Sequence, residues 1–211
     1  MAFTSIVIID YGAGNLRSVV KAIRYLGYEP HITNNPQEVL EAQAVVLPGV
    51  GAAPQAMARL KAQGLIEPLT RFITQGRPFL GICLGMQLLL SHSEEGNQPC
   101  LNLIPGQVKR LPSGPLKVPH IGWNLVNRKD FPKRDHPLFS GIPNPSHFYF
   151  VHSYYPQPED PACIAAETSY GINFPSLIIQ DNLIATQFHP EKSGEIGLKL
   201  FANFFKLLAT K

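Results

Sequence analysis

Two short stretches of this chain hold the residue types that acyl transfer requires. They are Gly81-Ile82-Cys83-Leu84-Gly85-Met86-Gln87 and, far downstream, His189-Pro190-Glu191. Pro78-Phe79-Leu80 leads into the first, and Leu88-Leu89-Leu90 follows it. The pattern predicts a strand, a tight turn and a helix, with Cys83 at the apex. Small residues beside a nucleophile permit the strained strand-to-helix corner of a nucleophile elbow. A thiol at a helix N-terminus is biased towards thiolate by the helix dipole. A free cysteine is more commonly a buried small hydrophobe, but a plain core strand has no use for glycine on both flanks. Cys100 and Cys163 lack that setting. His189 and Glu191 lie two apart after the strand-like run Ile184 to Phe188, so their side chains share a side. Cys83 as nucleophile, His189 as proton carrier and Glu191 as the group orienting the imidazole make a Cys-His-Glu triad. Glu191 also reads as an acid at the start of the last helix, with Ser193 or a neighbour as cap; the two roles are compatible.

Pro48-Gly49-Val50-Gly51 ends a predicted strand, where open α/β sheets bind ligands. The backbone amides near Gly49, Val50 and Gly51, with that of Leu84, are candidate oxyanion donors, although an ordinary βα turn has the same composition. Gly12-Ala13-Gly14-Asn15-Leu16-Arg17 fails as a dinucleotide loop: Arg17 stands where the third glycine belongs, and Asn34 and Asn35 offer no ribose-binding acid. His120, His136, His147 and His152 are scattered without metal-ligand spacing. Phe148 to Tyr154 reads as a strand lining the site, and its polar end, His152-Ser153-Tyr154, suits a small polar substrate.

The elements that must position these residues follow from periodicity. Ser5 to Ile9 is a continuous apolar run, the mark of a strand buried on both faces. Leu16, Val19, Val20, Ile23 and Leu26 recur at helical spacing until Gly27. Strands are predicted at 29–33, 44–47 and 79–82, and helices at 53–63 and 65–75. This alternation implies a mostly parallel sheet with helices on both faces. From about residue 97 proline and glycine become dense and helical spacing disappears. Short strands at 107–111, 147–152, 162–168, 176–180 and 183–187 then predict a mixed or antiparallel extension, with a mixed-charge loop at 128–137. A last helix runs from Ser193 to about Leu208, its apolar face made by Ile196, Leu200, Phe201, Phe204 and Leu207. Both halves supply active residues, so one α/β domain over 1–211 is expected.

Bulk properties agree. A length of 211 residues suits one large domain. The formal charge of +3 is too small to argue for nucleic acid. Three cysteines give no disulfide framework and suit a reducing compartment. The N-terminus lacks a signal-peptide pattern, and no apolar run approaches a membrane span. A cytoplasmic location is the expectation.

The elbow and the His-Pro-Glu pair resemble the class I (triad) glutamine amidotransferases, and the likeness runs over nearly the whole chain. Five further segments are similar to one branch, the glutaminase subunits of imidazole glycerol phosphate synthases. They are Ile9 to Leu16, Pro48 to Gly51, Pro119-His120-Ile121-Gly122-Trp123-Asn124, Tyr149 to Tyr154, and Gln187 to Ser193. Ala52-Ala53-Pro54 departs from the aromatic-containing form of that branch. The resemblance implies hydrolysis of glutamine to glutamate and ammonia, without cofactor or metal. The ammonia would pass to a separate (β/α)₈-barrel cyclase subunit in a heterodimer of histidine biosynthesis. There it would join a phosphoribulosyl aminoimidazole-carboxamide intermediate, giving imidazole glycerol phosphate and an aminoimidazole carboxamide ribonucleotide. The resemblance also places glutamine's polar ends near Gln87 and His152-Ser153-Tyr154. Asn15, Arg17, Trp123 and Lys192 become candidate partner contacts, with solvated surface charge as the plain alternative for the two cations. Glutaminases serving pyridoxal phosphate, purine or anthranilate synthesis, a cysteine peptidase on a similar scaffold, and a non-catalytic barrel-binding scaffold are the competing readings.

Overall fold

A computed structural model describes residues 5–12, 15–129 and 136–210. In chain order its elements are β1 (Ile6–Ile9), α1 (Leu16–Tyr25), β2 (His31–Thr33), α2 (Pro36–Glu41), β3 (Ala44–Gly49), α3 (Ala53–Ala62), α4 (Ile66–Thr74), β4 (Phe79–Cys83) and α5 (Leu84–Gln87). The second half adds β5 (Leu90–Ser93), β6 (Gln98–Pro99), β7 (Ile104–Arg110), β8 (His120–Arg128), β9 (Ser146–His152), β10 (Tyr154–Pro158), β11 (Ile164–Ser169), β12 (Asn173–Gln180), β13 (Leu183–Thr186) and α6 (Gly194–Lys206). Most of the predicted 128–137 loop lies outside the described residues.

Nine strands form one sheet in the order β2-β1-β3-β4-β13-β12-β11-β8-β9. The first five are parallel and the rest antiparallel. β1, β3, β4 and β13 are buried along their whole lengths, which is why their sequences are continuous apolar runs rather than alternations. Alternation survives in the direction the side chains take. Val7 and Ile9 join one core with residues of α2, α3 and α4, while Ile6 and Ile8 join the other with α1 and α6. The result is three layers, as the sequence predicts. A second sheet, β10-β7-β5-β6, contributes Leu90, Ile104 and Val108 to the first core. Among the described residues no helix is long and apolar enough to cross a membrane.

Three local expectations are corrected. Leu88-Leu89-Leu90 does not continue a helix: α5 is one turn long, and Leu90 opens β5. The Leu88 and Leu89 side chains are fully buried in the first core, and that tertiary demand overrides their helix propensity. Helix α2 was not anticipated. It starts on Asn35, whose side chain accepts from the Gln37 N–H at 2.9 Å, with Pro36 in the first turn, a start signal present in the sequence. The segment at 120–128 is a nine-residue strand.

Candidate active site

Parallel strands present their C-terminal ends at one edge of the sheet. The ends of β1, β3, β4 and β13 therefore face one side, and at or just beyond them stand Asn15 and, in the first turn of α1, Arg17; Val50 and Gly51; Cys83; and His189 and Glu191. The β4–α5 corner is a nucleophile elbow. Cys83 holds φ 54° and ψ −108°, a positive φ that a non-glycine residue rarely adopts. The flanking glycines serve space rather than dihedral freedom. A Cβ on Gly85 would overlap the Leu47 carbonyl of β3, and one on Gly81 would lie 3.0 Å from the Gly85 carbonyl oxygen. Gly49 is crowded likewise, by the Tyr11 hydroxyl and Leu84.

A cavity of about 230 Å³ opens over Cys83. Val50, Gly51, Leu84, Gln87, His152, Ser153 and Tyr154 line it, as the sequence anticipates, together with Pro119, Val151 and Glu95. Gly49 does not line it; its carbonyl shares the peptide that carries the Val50 N–H. Leu84 is the first helical residue of α5, so its N–H has no intrahelical acceptor. Behind Cys83, His189 Nδ1 lies 2.7 Å from Glu191 Oε1, with both side chains 2% exposed. A carboxylate can only accept, so Nδ1 carries the proton and Nε2 faces the sulfur.

Burial opposes charge on His189, but the Cys83 sulfur and Glu191 outweigh it and raise its pKa from 6.5 to about 10. The protonated imidazole is thus favoured beside the Cys83 sulfur, and this neighbour replaces the weak dipole of a single-turn helix as the activating influence. His189 Nε2 makes no aligned hydrogen bond, and Cys83 Sγ lies 3.8 Å from the Val151 carbonyl. Pairs that tighten only in the substrate complex behave this way. Ser193 fixes the backbone of the base: its hydroxyl donates to the His189 carbonyl at 2.6 Å and accepts from the Tyr149 N–H at 3.0 Å. Ser193 is the N-cap residue of α6, as expected, but with its hydroxyl committed to His189 and Tyr149 it makes no side-chain capping bond to the helix.

The polar segment is arranged differently from its prediction. His152 Nδ1 lies 2.9 Å from the Tyr154 carbonyl, and its Nε2 lies 3.0 Å from His120 Nδ1. Both His152 nitrogens are thus engaged inside the protein, and the ring can offer a substrate no hydrogen bond. Burial lowers His120 to about 4 and His152 to about 3, so both stay neutral. Among the described residues the hydroxyls of Ser153 and Tyr154 have no internal hydrogen bond and remain available. Both N–H groups of Gln87 are used, leaving its carbonyl oxygen for a ligand.

Glu95 escaped the sequence reading. Its Oε2 accepts from the Ala53 N–H at 2.7 Å and so supplies from a distance the cap that Ala52 cannot give α3. Its other oxygen is left for the cavity. The one signal was the acidic pair Glu94-Glu95 before Gly96, soon after the elbow.

Trp123 and Lys192 lie on the outer surface. Trp123, 57% exposed, meets Tyr149 edge-on at 6.2 Å, and Lys192 Nζ sits 5.7 Å from the same ring. Ile121 and Leu125 flank Trp123 on the same exposed face of β8. Arg17 is exposed, and Asn15, with φ 79°, starts α1 and accepts from the Ser18 hydroxyl at 2.9 Å.

Known proteins are similar to this chain over nearly its whole length. The imidazole glycerol phosphate synthase subunit HisH of Dehalococcoides mccartyi is 52% identical over 203 residues, which are 96% of this chain and 97% of that one. Its namesake in Chloroflexus aurantiacus is 54% identical over 202 residues, 95% of each, and that of Geobacter sulfurreducens 50% identical over 208. Among solved structures, a glutamine amidotransferase superposes with a TM-score of 0.75 over 97% of this chain and 99% of that one at 19% identity. Another, from Thermotoga maritima, does so at 0.71 over the full length of both at 17% identity. These two share the fold. The family model described as glutamine amidotransferase class-I matches residues 7–208, and with a cysteine elbow and a buried His-Glu pair inside that span, the chain belongs to the class I glutamine amidotransferase family.

Proposed function

We propose that the chain is the glutaminase subunit of an imidazole glycerol phosphate synthase, acting in the cytoplasm and delivering ammonia to a (β/α)₈-barrel cyclase subunit. The observation that carries the chemistry is the strained Cys83 backed by the buried His189–Glu191 pair, at the floor of a small cavity with a few polar groups. The assignment to this synthase is supported by full-length identity of about half to proteins of that name. A cavity of about 230 Å³ falls below the roughly 300–1,000 Å³ of sites for larger ligands. It suits a free amino acid and argues against a peptidase.

In this mechanism the carbonyl oxygen of Gln87 and the free oxygen of Glu95 accept from glutamine's α-ammonium, and the Ser153 and Tyr154 hydroxyls donate to its carboxylate. The Cys83 sulfur attacks the side-chain amide carbon. The oxyanion that forms is met by the Leu84 N–H and an N–H of the Gly49-Val50-Gly51 turn. His189 gives its Nε2 proton to the leaving nitrogen, which departs as ammonia and leaves a thioester. His189 Nε2 then takes a proton from water, whose oxygen attacks the thioester and releases glutamate with Cys83 as the leaving group. Glu191 accepts from Nδ1 throughout. Ammonia release from glutamine, measured with and without the purified cyclase and its ligand, tests the assignment. Stimulation by the loaded cyclase is expected, and glutamine hydrolysis indifferent to it would overturn the assignment to this synthase.

Two predictions arise here. Glu191→Gln keeps an oxygen for Nδ1 but removes the charge, so kcat is expected to fall about 10²-fold less than on loss of Cys83 or His189. A folded Glu191→Gln protein as inactive as Cys83→Ala would show that the carboxylate does more than orient. For the partner surface, Trp123→Ala is expected to weaken the heterodimer by about 2 kcal/mol or more, as exposed tryptophans at interface centres do. Lys192→Glu and Arg17→Glu are expected to weaken it less. Unchanged association in analytical ultracentrifugation would remove each residue from the interface.

A further inference from the structure

The mechanism leaves one fully buried polar side chain beside the nucleophile unused. Gln187 is 0% exposed. It follows β13 and precedes His189 by two residues, and both side chains reach Cys83. In the sheet β13 runs parallel beside β4, with Thr186 opposite Ile82. The orientation of its amide is dictated from behind. The Tyr154 carbonyl can only accept, so the Gln87 nitrogen faces it, at 2.8 Å, and the second N–H of that nitrogen goes to Gln187 Oε1 at 2.9 Å. With its oxygen held, Gln187 turns its nitrogen to Cys83 Sγ, 3.6 Å away. The series of donors and acceptors permits neither amide to flip without setting like against like. The Tyr154 carbonyl is itself steadied by His152, His120 and Asn124, linked in turn at 2.9, 3.0 and 3.3 Å.

We propose that Gln187 is a catalytic residue that donates a hydrogen bond to the Cys83 sulfur and stabilises it as thiolate, and that Gln87 holds Gln187 in the donating orientation. In its catalytic consequence this rests on the glutaminase reading above; in its chemistry it concerns the thiol alone. The other ionisable groups facing Cys83 are His189 from the segment after β13, with Glu191 behind it, His152 at the end of β9, Tyr11 after β1 with Arg59 of α3 beyond it, and Glu95 across the cavity. Of these only His189 brings positive charge directly to the sulfur. Tyr11 is buried and its pKa raised by that burial and by Cys83, so it stays neutral. The Gln187 N–H therefore adds a second, uncharged source of thiolate stabilisation that does not titrate.

The test is the pH dependence of Cys83 alkylation by iodoacetamide in the full-length chain, read by mass spectrometry of the Cys83 peptide so that Cys100 and Cys163 do not contribute. Gln187→Met removes the donor at similar volume, and Gln187→Glu sets a carboxylate against the sulfur. Both are expected to move the alkylation midpoint upward by roughly one to two pH units, the worth of a hydrogen bond to a charged group, with the larger shift for glutamate. Gln87→Met, which frees Gln187 without removing it, is expected to shift the midpoint the same way by less. Folded Gln187 variants that alkylate at the parent's midpoint would overturn the proposal. Should circular dichroism show them unfolded, Gln87→Met decides, and an unchanged midpoint there overturns it. Glutamine hydrolysis by the same samples with the cyclase and its ligand added separates the two readings. A parent that forms its thiolate through Gln187 yet hydrolyses no glutamine even with the loaded cyclase would remove the function and leave the donor standing.

Discussion

Replacing Cys83 by alanine is expected to abolish ammonia release from glutamine, a loss on the order of 10⁴-fold or more by analogy with other triad hydrolases. The size of the effect follows from the covalent route: without the sulfur there is no thioester, and His189 has nothing to activate but water. The fold should survive, because the side chain is small and alanine relieves none of the packing around Gly81 and Gly85 that shapes the corner. The partner should still form product from added ammonia, since its own chemistry lies elsewhere. That second measurement separates a dead glutaminase from a broken complex. Substantial glutaminase activity in the Cys83→Ala protein would sink the assignment of the nucleophile.

The next largest effect is expected at Val50. The turn after β3 lines the cavity, and Gly51 holds φ 101° with open space around its α-carbon, so the peptides on either side of Val50 can reorient at little steric cost. One oxyanion donor is worth roughly 3–4 kcal/mol, or about 10²–10³ in rate. An enzyme whose Val50 N–H joined that of Leu84 only when the partner is loaded would therefore switch between idle and active without moving Cys83. Proline at position 50 removes the N–H. The Val50→Pro complex is expected to lose about 10²–10³ of its ligand-stimulated glutamine hydrolysis while associating normally. If that complex, correctly folded, responded to ligand as strongly as the parent, exclusion of water by the partner would be the better account of stimulation.

Much of the site was legible because its chemistry rests on rules that act over a few residues. His189 and Glu191 do pair as the spacing suggested, but through the short 3-10 helix Pro190–Lys192 and not along an extended strand. A cysteine between glycines announced the corner, although the reason for the glycines was not. Gly85 is required by the Leu47 carbonyl of a neighbouring strand, and no local pattern encodes that approach. The same limit explains Leu88-Leu89-Leu90, apolar in a way that suits helix or strand and settled by burial in the first core. It also explains β8, whose exposed Ile121, Trp123 and Leu125 alternate with glycine and asparagine instead of with a clean polar face. His152 was read correctly as lining the cavity and incorrectly as available, because its occupancy depends on His120, 32 positions away. Glu95 stayed invisible because it serves α3 across a separation of 42 residues.

The strand nearest the end of the chain is not at the edge of its sheet. β13 lies between β4 and β12, so until Leu183–Thr186 is made and inserted, the parallel and antiparallel parts of the sheet have no bond to each other through it. The nucleophile is therefore present for most of the chain's synthesis, but the base follows the last strand to be made, whose pairing with β4 spans about a hundred residues and is intrinsically slow. A ribosome-bound chain stalled before residue 183 would carry an elbow with no proton carrier, and glutamine would be safe from it. The order of synthesis alone thus denies the growing polypeptide its proton carrier until the strand that joins the two parts of the sheet has been made.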